Sequence, residues 1–472
     1  MKGALSVVML LAAAGAAGGQ APNSSFPTLR TAPPTATAVF QGGVPSGDAA
    51  GEPLALTMAD AITRALEHNV GLLTSEDGLD RARGAWGNIR AGLWPEVSGS
   101  VTESRQTINL DAYGFPRPPG VPAVVGPFNT FDARLSLSTV LDFQSHDKLR
   151  AEAHNVTAAR YSVKTAREIV ISVAGNTYVL ALAAANRVEA VNAQVATAEA
   201  LLAQVMDMKQ GGLVARIDVL RAEVQLATER QRATAARNEA EKVKLRLAYI
   251  IGLPLGQPFM LTDPFPIATA PDPSFEEALE RAFRARPDYL AALERVAAAE
   301  AARKAVADEQ MPSVRINANY GTLGLTIADA HPTFAAIGGL SVPLFNSGRT
   351  GARLLQADAE LRTRRTEAES LKAAIYYDLR TAYLDVEASS EQLRVASRAR
   401  ELAAQQLLQA RDRFAAGVAS NIDVVQAQEA VAASSEQYIT ALYNYDVAKG
   451  LITLNMGAVD DSPYRSSGRR VH

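Results

Sequence analysis

The chain has 472 residues, 48% of them apolar, with 23 prolines, 32 glycines, no cysteine and a formal net charge of −3. Zero cysteine excludes a disulfide framework, thiol catalysis, cysteine-ligated zinc, iron–sulfur clusters and a lipid-modified N-terminal cysteine. With 47 basic against 50 acidic side chains, nothing in the charge favours nucleic acid.

In chain order, Lys2, the apolar run Ala4–Ala17 and the small residues Ala17, Gly18 and Gly19 have the pattern of a secretory signal peptide over 1–19. The run is shorter than the ~20 residues a membrane-spanning helix needs. Residues 20–53 form a Pro-rich extension and 253–273 a Pro-rich linker, both expected to be extended. No proline falls in 128–253 or in 344–462, and these tracts are rich in Ala, Glu, Gln, Arg and Leu, as long helices require. The apolar stretch Ile169–Ala185 is interrupted by Ser172, Asn176 and Thr177, which argues against a spanning helix there.

The chain is written twice. A shift of 217 lays Leu56–Leu66 on Pro273–Phe283 and Trp94–Val97 on Met311–Val314. A shift of 202 matches Leu141–Ser145 to Pro343–Ser347, and a shift of 205 matches Gly212–Val219 to Gly417–Val424. The domains read as a first repeat over 54–252, a second over 274–458 and a tail over 459–472. Each repeat is expected to hold one moderate helix (about 56–92 and 274–310), two strands, a very long helix, a Gly turn and a last helix.

From Ile375 the residues Leu379, Ala382, Val386, Ser389, Leu393, Ala396, Arg400, Ala403, Leu407, Ala410 and Phe414 follow a 4-3 spacing that only Ser389 and Arg400 interrupt. Moved back by 205, the seam runs from Val170 to Val205. This is coiled-coil spacing, and a helix from Ser145 to Lys209 would be ~100 Å long. A solvent-exposed rod accounts for these tracts as well as a channel does.

The strands carry more information. Val97, Gly99 and Val101 alternate with Glu96, Ser98, Ser100 and Thr102; Leu135, Leu137, Thr139 and Leu141 alternate with Arg134, Ser136, Ser138 and Val140. In the second repeat Val314, Ile316, Ala318 and Tyr320 oppose Ser313, Arg315, Asn317 and Asn319, and Phe334–Leu344 has one apolar and one small-residue face. Such segments describe outer-membrane strands or a half-buried soluble sheet. The signal peptide and the irregular loops expected at Leu110–Thr130 and Leu323–Thr333 favour the membrane. Four strands cannot close a barrel, and lipid tolerates no open edge, so two copies would pool 8 strands and three copies 12.

The duplicated plan resembles the TolC-type outer-membrane factors. The resemblance rests on the paired openings Ala61-x-x-x-Ala65-Leu66-x-x-Asn69 and Ala278-x-x-x-Ala282-Phe283-x-x-x-Pro287 and on the paired Gly-x-x-x-x-Ile-Asp-Val turns, and it covers about 54–458. It implies a mainly α fold with membrane β: tandem strand–strand–long-helix units forming a trimeric 12-stranded outer-membrane barrel, continued by a periplasmic α-helical coiled-coil barrel. It further implies a passive exit duct of a tripartite efflux or type I secretion system, gated at its periplasmic tip. The implied partners are a homotrimer, a periplasmic adaptor, through it an inner-membrane pump, and outer-membrane lipid. Without cysteine, the chain would be held by its barrel and not by a lipid anchor.

Carried over residue by residue, the resemblance places Asp423 on the first acidic position of the constriction and Gln426 one turn on, where some relatives have a second aspartate. Asp218 would be the first-half acid. The basic position that ties the closed gate in relatives is Ala419 here, so that link is absent or rerouted, and Phe414 lacks the hydroxyl of a tyrosine. The adaptor would meet the turns Gly211, Gly212, Leu213 and Gly417, Val418, Ala419. A plainer reading also stands: Ser420 or Asn421 caps the last helix, with Asp423 in its first turn favoured by the macrodipole, and Asp218 likewise.

Catalytic chemistry is not legible. His68, His146, His154, His331 and His472 form no ligand pair, and there is no phosphate loop. No cofactor and no metal are expected. The alternatives to a duct are a periplasmic coiled-coil adaptor and a structural rod without a pore.

Overall fold

The computed structural model describes residues 42–114, 120, 122–265 and 273–457. The expected signal peptide, the extension before residue 42 and the tail 459–472 lie outside them. The first repeat comprises β1 (Leu54–Leu56), α1 (Met58–His68), α2 (Val70–Ala91), β2 (Glu96–Asn109), β3 (Val124–Leu141), α3 (Phe143–Gln210) and α4 (Arg216–Ile250). After β4 (Phe259–Leu261), the second comprises α5 (Phe275–Ala285), α6 (Pro287–Ala307), β5 (Ser313–Gly324), β6 (His331–Ser341), α7 (Arg349–Ala415) and α8 (Asn421–Asn455).

The single moderate helix expected at the head of each repeat is instead two helices. In the first repeat the break is Asn69, extended at φ −71° and ψ 123°. Its carboxamide caps α2 by accepting the Leu72 N–H (3.1 Å) and donates to the Gly42 carbonyl (3.1 Å). A helical Asn69 could make neither bond. In the second repeat Arg286 precedes Pro287, which excludes the helical region for it, and Pro287 then opens α6. Capping boxes at Thr57–Asp60 and Ser274–Glu277 start α1 and α5.

The long helices are as long as their proline-free tracts suggest: α3 has 68 residues and α7 has 67. In α3 the seam residues Val170, Ala174, Thr177, Ala181, Ala184, Ala198 and Val205 are buried, as are Ile375, Leu379, Ala382, Ser389, Ala396, Ala403 and Phe414 in α7. The two interruptions are both accommodated. Ser389 turns its hydroxyl back to the Val386 carbonyl (3.2 Å), and the Arg400 guanidinium lies 3.8 Å from the centre of the Tyr438 ring. Helix α3 is the one helix among the described residues that is long and apolar enough to cross a membrane, but 67% of that stretch is buried inside the fold.

The duplication is also visible in one pair of tyrosines. Tyr178 on α3 donates its hydroxyl to the Leu56 carbonyl (2.9 Å), and Tyr383, 205 residues later on α7, donates to the Pro273 carbonyl (2.6 Å). Each ties a long helix to the chain entering the short helix of its own repeat. Tyr178 is fully buried, and burial pushes its phenol up to about 12. Around it lies the largest apolar cluster, with Leu56, Ala61, Ala65, Val170, Leu247 and Ile251.

The segment expected to be a plain linker is partly structured. Phe259–Leu261 pairs in parallel with Leu54–Leu56, and Leu253 and Phe259 are buried. Residues of the N-terminal extension are also fixed: Val44 N donates to the His68 carbonyl (2.8 Å) and Gly43 N to that of Tyr249 (2.9 Å). These residues fold as part of the core because their backbone groups find partners there.

The four long strands form one antiparallel sheet in the order β2-β3-β5-β6, so one strand pair from each repeat lies side by side. The strands exceed the alternating segments. β2 continues to Asn109 and β3 begins at Val124, inside the expected loop; β6 begins at His331 and ends at Ser341 instead of Leu344. Beyond Thr102 the β2 sequence is Glu103, Ser104, Arg105, Gln106, polar on both faces, so no alternation marks it as strand.

Candidate functional site

The first functional surface is the sheet. Register sorts its residues into rows across four strands. One face carries Gly99–Leu135–Tyr320–Phe334 and, next to it, Val97–Leu137–Ala318–Ala336. The opposite face carries Ser98–Ser136–Asn319–Ala335 and Glu96–Ser138–Asn317–Ile337. On the apolar face the large side chains are open: Leu135 is 59% exposed, Tyr320 63% and Phe334 71%. In water such a face would be covered. On β3 the apolar face runs from Phe131 to Leu141, about ten residues. At about 3.4 Å each along a strand tilted by about 40°, they rise about 26 Å, against about 25 Å for the apolar band of an outer-membrane barrel. Where strands meet helices, Trp94, Phe143 and Phe345 are exposed, the place such barrels put aromatic girdles. On the same face Glu103 stands at the end of the band, opposite Phe131, and Arg105 just beyond it, opposite Asn129.

Both outer strands of the sheet, β2 and β6, have one unpaired edge among the described residues. The polar face is charge-balanced in one place by Arg134, which pairs with Asp132 two residues away.

The second surface is the far end of the helices. The α3 and α7 C-termini end in the same motif. Gly212 (φ +73°) and Gly417 (φ +74°) take the left-handed conformation, while Leu213 N donates to the Met208 carbonyl (2.9 Å) and Val418 N to that of Arg413 (3.0 Å). Leu213 and Val418 are exposed at the two tips, and Gly211 and Ala419 flank them. Behind the turns, Leu201, Val205, Val219, Phe414 and Val424 form one buried cluster drawn from all four helices. Phe414 is a core residue here, buried with the other four.

Asp218 and Asp423 close their own helix starts. Asp423 Oδ2 accepts the Ser420 backbone N–H (2.9 Å) and hydroxyl (3.1 Å), which makes Ser420 the cap and not Asn421. Asp218 Oδ2 accepts the Ala215 N–H (3.3 Å), and its Oδ1 meets Arg221 (3.4 Å). Asp423 and Gln426 are exposed, and Asp218 is half-buried. The two turns are bonded through Asn421, whose amide donates to the Asp218 carbonyl (2.9 Å).

A polar group that the sequence pattern did not reveal lies above the tip. Gln225, Glu229 and Arg232 on α4 converge with Glu429 on α8. Burial pushes the Glu229 carboxyl up; against burial, hydrogen bonds from Arg232 and Gln225 hold that of Glu429 below its ordinary value. The i, i+4 and i, i+7 spacing of Gln225, Glu229 and Arg232 was the available signal, since it sets three polar side chains on one helix stripe. Farther up, Arg187 on α3 makes a two-pronged bond to Glu436 on α8 (2.6 Å each). Among the described residues, no cluster of three or more His, Cys, Asp or Glu could hold a metal ion.

The chain as a whole has counterparts among known proteins. The chain is 25% identical to the pyoverdine export outer membrane protein OpmQ of Pseudomonas putida, over 74% of each chain. It is 25% identical to the outer membrane efflux protein BepC of Brucella suis, over 88% of this chain and 87% of that one. The fold superimposes on the Campylobacter jejuni CmeC outer membrane channel with a TM-score of 0.72 at 17% identity, covering 87% of this chain and 88% of that one. Residues 61–253 and 278–457, the two repeats, each match the outer membrane efflux protein family. The chain belongs to that family, whose members are transport channels of the outer membrane and not enzymes.

Proposed function

We propose that three copies of this chain form a passive exit duct through the outer membrane, with the sheets closed into a 12-stranded barrel and the long helices continuing it into the periplasm. The carrying observation is the sheet: one face is apolar and uncovered, the other is polar, and both edges are open. In lipid an open edge is untenable, so β2 of one copy must pair with β6 of the next. The apolar face then meets lipid and Ser98, Ser136 and Asn319 line the bore. Three copies bring the strand number to 12 and two would bring 8, both within the range of known barrels; three is the number that the resemblance to the outer-membrane factors implies.

The tips carry the partner reading. Gly211, Gly212, Leu213 and Gly417, Val418, Ala419 are the surfaces offered to a periplasmic adaptor, which couples the duct to an inner-membrane pump. Asp423, with Gln426 one turn on, narrows the bore as a carboxylate and amide ring, and Asp218 stands beside it. Capping and pore lining are compatible for Asp423, because its carboxylate is exposed while it accepts from Ser420.

Fractionation tests the duct directly. A heat-modifiable, detergent-requiring trimer in the outer membrane is expected, and a soluble periplasmic protein would end the proposal. For the ring, Asp423→Asn should lower cation preference and divalent-cation block in planar bilayers; unchanged reversal potentials and block would remove it.

A further inference from the structure

The polar group above the tip does something that neither turn can do. Asp218 and Asp423 are each engaged by the start of their own helix, and the bond between the turns is a neutral one from Asn421. The ion pair that joins α4 to α8 among the described residues is the one made by Arg232. Its Nη1 donates to Glu229 Oε1 (2.8 Å) and its Nη2 to Glu429 Oε2 (2.9 Å), while Gln225 Nε2 donates to Glu229 Oε1 (2.9 Å) and Glu429 Oε1 (3.0 Å). Gln225 and Glu229 are almost wholly buried, at 6% and 2% exposed. Two carboxylates thus share one guanidinium, and Glu229 Oε2 is buried with no hydrogen-bond partner.

Ionised throughout, the group carries one negative charge too many in a place where an unpaired charge is costly. One proton on Glu229 leaves a single carboxylate facing a single guanidinium. We propose that Gln225, Glu229, Arg232 and Glu429 form a proton-dependent clasp between α4 and α8. The clasp is tight when Glu229 is neutral and loose when it is ionised, and so sets how readily the tip of the duct opens. The last part rests on the duct reading; the clasp itself does not.

The surroundings leave Glu229 no other source of compensation. From α8 it faces Glu429, and the next acid up that helix, Glu436, is held by Arg187 of α3. From α3 the charged group at this level is Glu199, which Arg230 engages (2.9 Å). On α4 itself Arg221 is turned to Asp218, and Arg232 is already shared. Of the two shared acids, Glu229 takes the proton first, because burial works on it while the Arg232 and Gln225 bonds keep Glu429 ionised.

The test uses the absence of native cysteine. Spin labels at Val224→Cys on α4 and Ile422→Cys on α8, both exposed positions, report the α4–α8 distance in the full-length protein. As pH is raised from below the ordinary carboxylate range into the alkaline, the distance distribution should lengthen and broaden as Glu229 ionises. Glu229→Gln, which keeps the shape and removes the charge, should stay narrow throughout; Arg232→Gln should be broad throughout. A distance that does not respond to pH, or a Glu229→Gln protein that titrates like its parent, would overturn the clasp. Channel recordings on the same proteins then address the tip: open time should rise several-fold with pH in the parent and stay low in Glu229→Gln. A titrating distance with a pH-independent open time would overturn the link to opening. A folded protein that forms no channel at all would refute the duct reading, with the distances still deciding the clasp.

Discussion

Replacing Leu135 by Arg is the sharpest probe of which sheet face meets lipid. Leu135 stands between Gly99 and Tyr320 near the middle of the apolar band, 59% exposed on the face assigned to hydrocarbon. An arginine at the midplane of a lipid-facing barrel strand costs about 2–4 kcal/mol. Three copies in one barrel would raise that to about 6–12 kcal/mol per assembly, comparable to the whole stability of a small domain. The adjacent Ser136 lies at the same depth but on the other face, between Ser98 and Asn319, so Ser136→Arg should change stability by no more than about 0.5 kcal/mol. Both variants would be folded into lipid vesicles and unfolded with urea, with heat-modifiable mobility as a second readout. Equal costs for the two substitutions, or a harmless Leu135→Arg, would refute the assignment of faces, because membrane depth and strand are the same and only the direction of the side chain differs.

Four other outcomes follow from the geometry. Gly212→Ala and Gly417→Ala should each cost about 1 kcal/mol in thermal stability, since an added Cβ meets open space but must adopt a left-handed backbone; Gly211→Ala, at φ −76°, should cost less. Asn69→Ala should destabilise by about 1–2 kcal/mol in urea unfolding, because the α2 cap and the bond to Gly42 are lost together. Tyr178→Phe should cost about 0.5–1.5 kcal/mol, because the Leu56 carbonyl keeps the Thr262 N–H and hydroxyl (3.2 Å each) when the phenol bond is lost, and Tyr383→Phe less, since its site is only partly buried. Glu229→Gln should flatten the pH dependence of thermal stability. With its folded-state carboxyl raised above the ordinary value, Glu229 favours the fold below that value and gives up the advantage as pH rises through the raised one, so the substitution should help most at the alkaline end.

The readable parts of the chain were those where chemistry repeats with a fixed period. The seam from Ile375 to Phe414 and its image from Val170 to Val205 predicted helices of the observed length because packing demands an apolar or small residue every three or four positions. The turns at Gly212 and Gly417 were legible for a similar reason: only glycine takes that conformation freely, so both repeats keep it. The break at Asn69 was missed because an asparagine is an ordinary helix residue until one sees what the neighbouring backbone requires of it; the break at Arg286 was within reach, since Pro287 disfavours a helical residue before it. The upper halves of β2 and β3 were missed because a strand with water on both sides has no alternation to read. The clasp was hidden for another reason: Glu229 and Glu429 lie 200 residues apart in the sequence, and no local pattern records that they meet on one arginine. The tyrosine pair, by contrast, was within reach, since the 205-residue shift that aligns the turns also sets Tyr178 on Tyr383.

The two unpaired edges of the sheet have a genetic consequence. A membrane half with β2 and β6 open has no folded state as a lone chain in lipid, so insertion and association are one event and not two. A copy that folds its helices but spoils one edge would poison every assembly it joins. Expressed equally with the intact protein, it would leave only about one three-copy barrel in eight free of it. Such alleles should act dominantly, and tandem fusion of intact copies should rescue them.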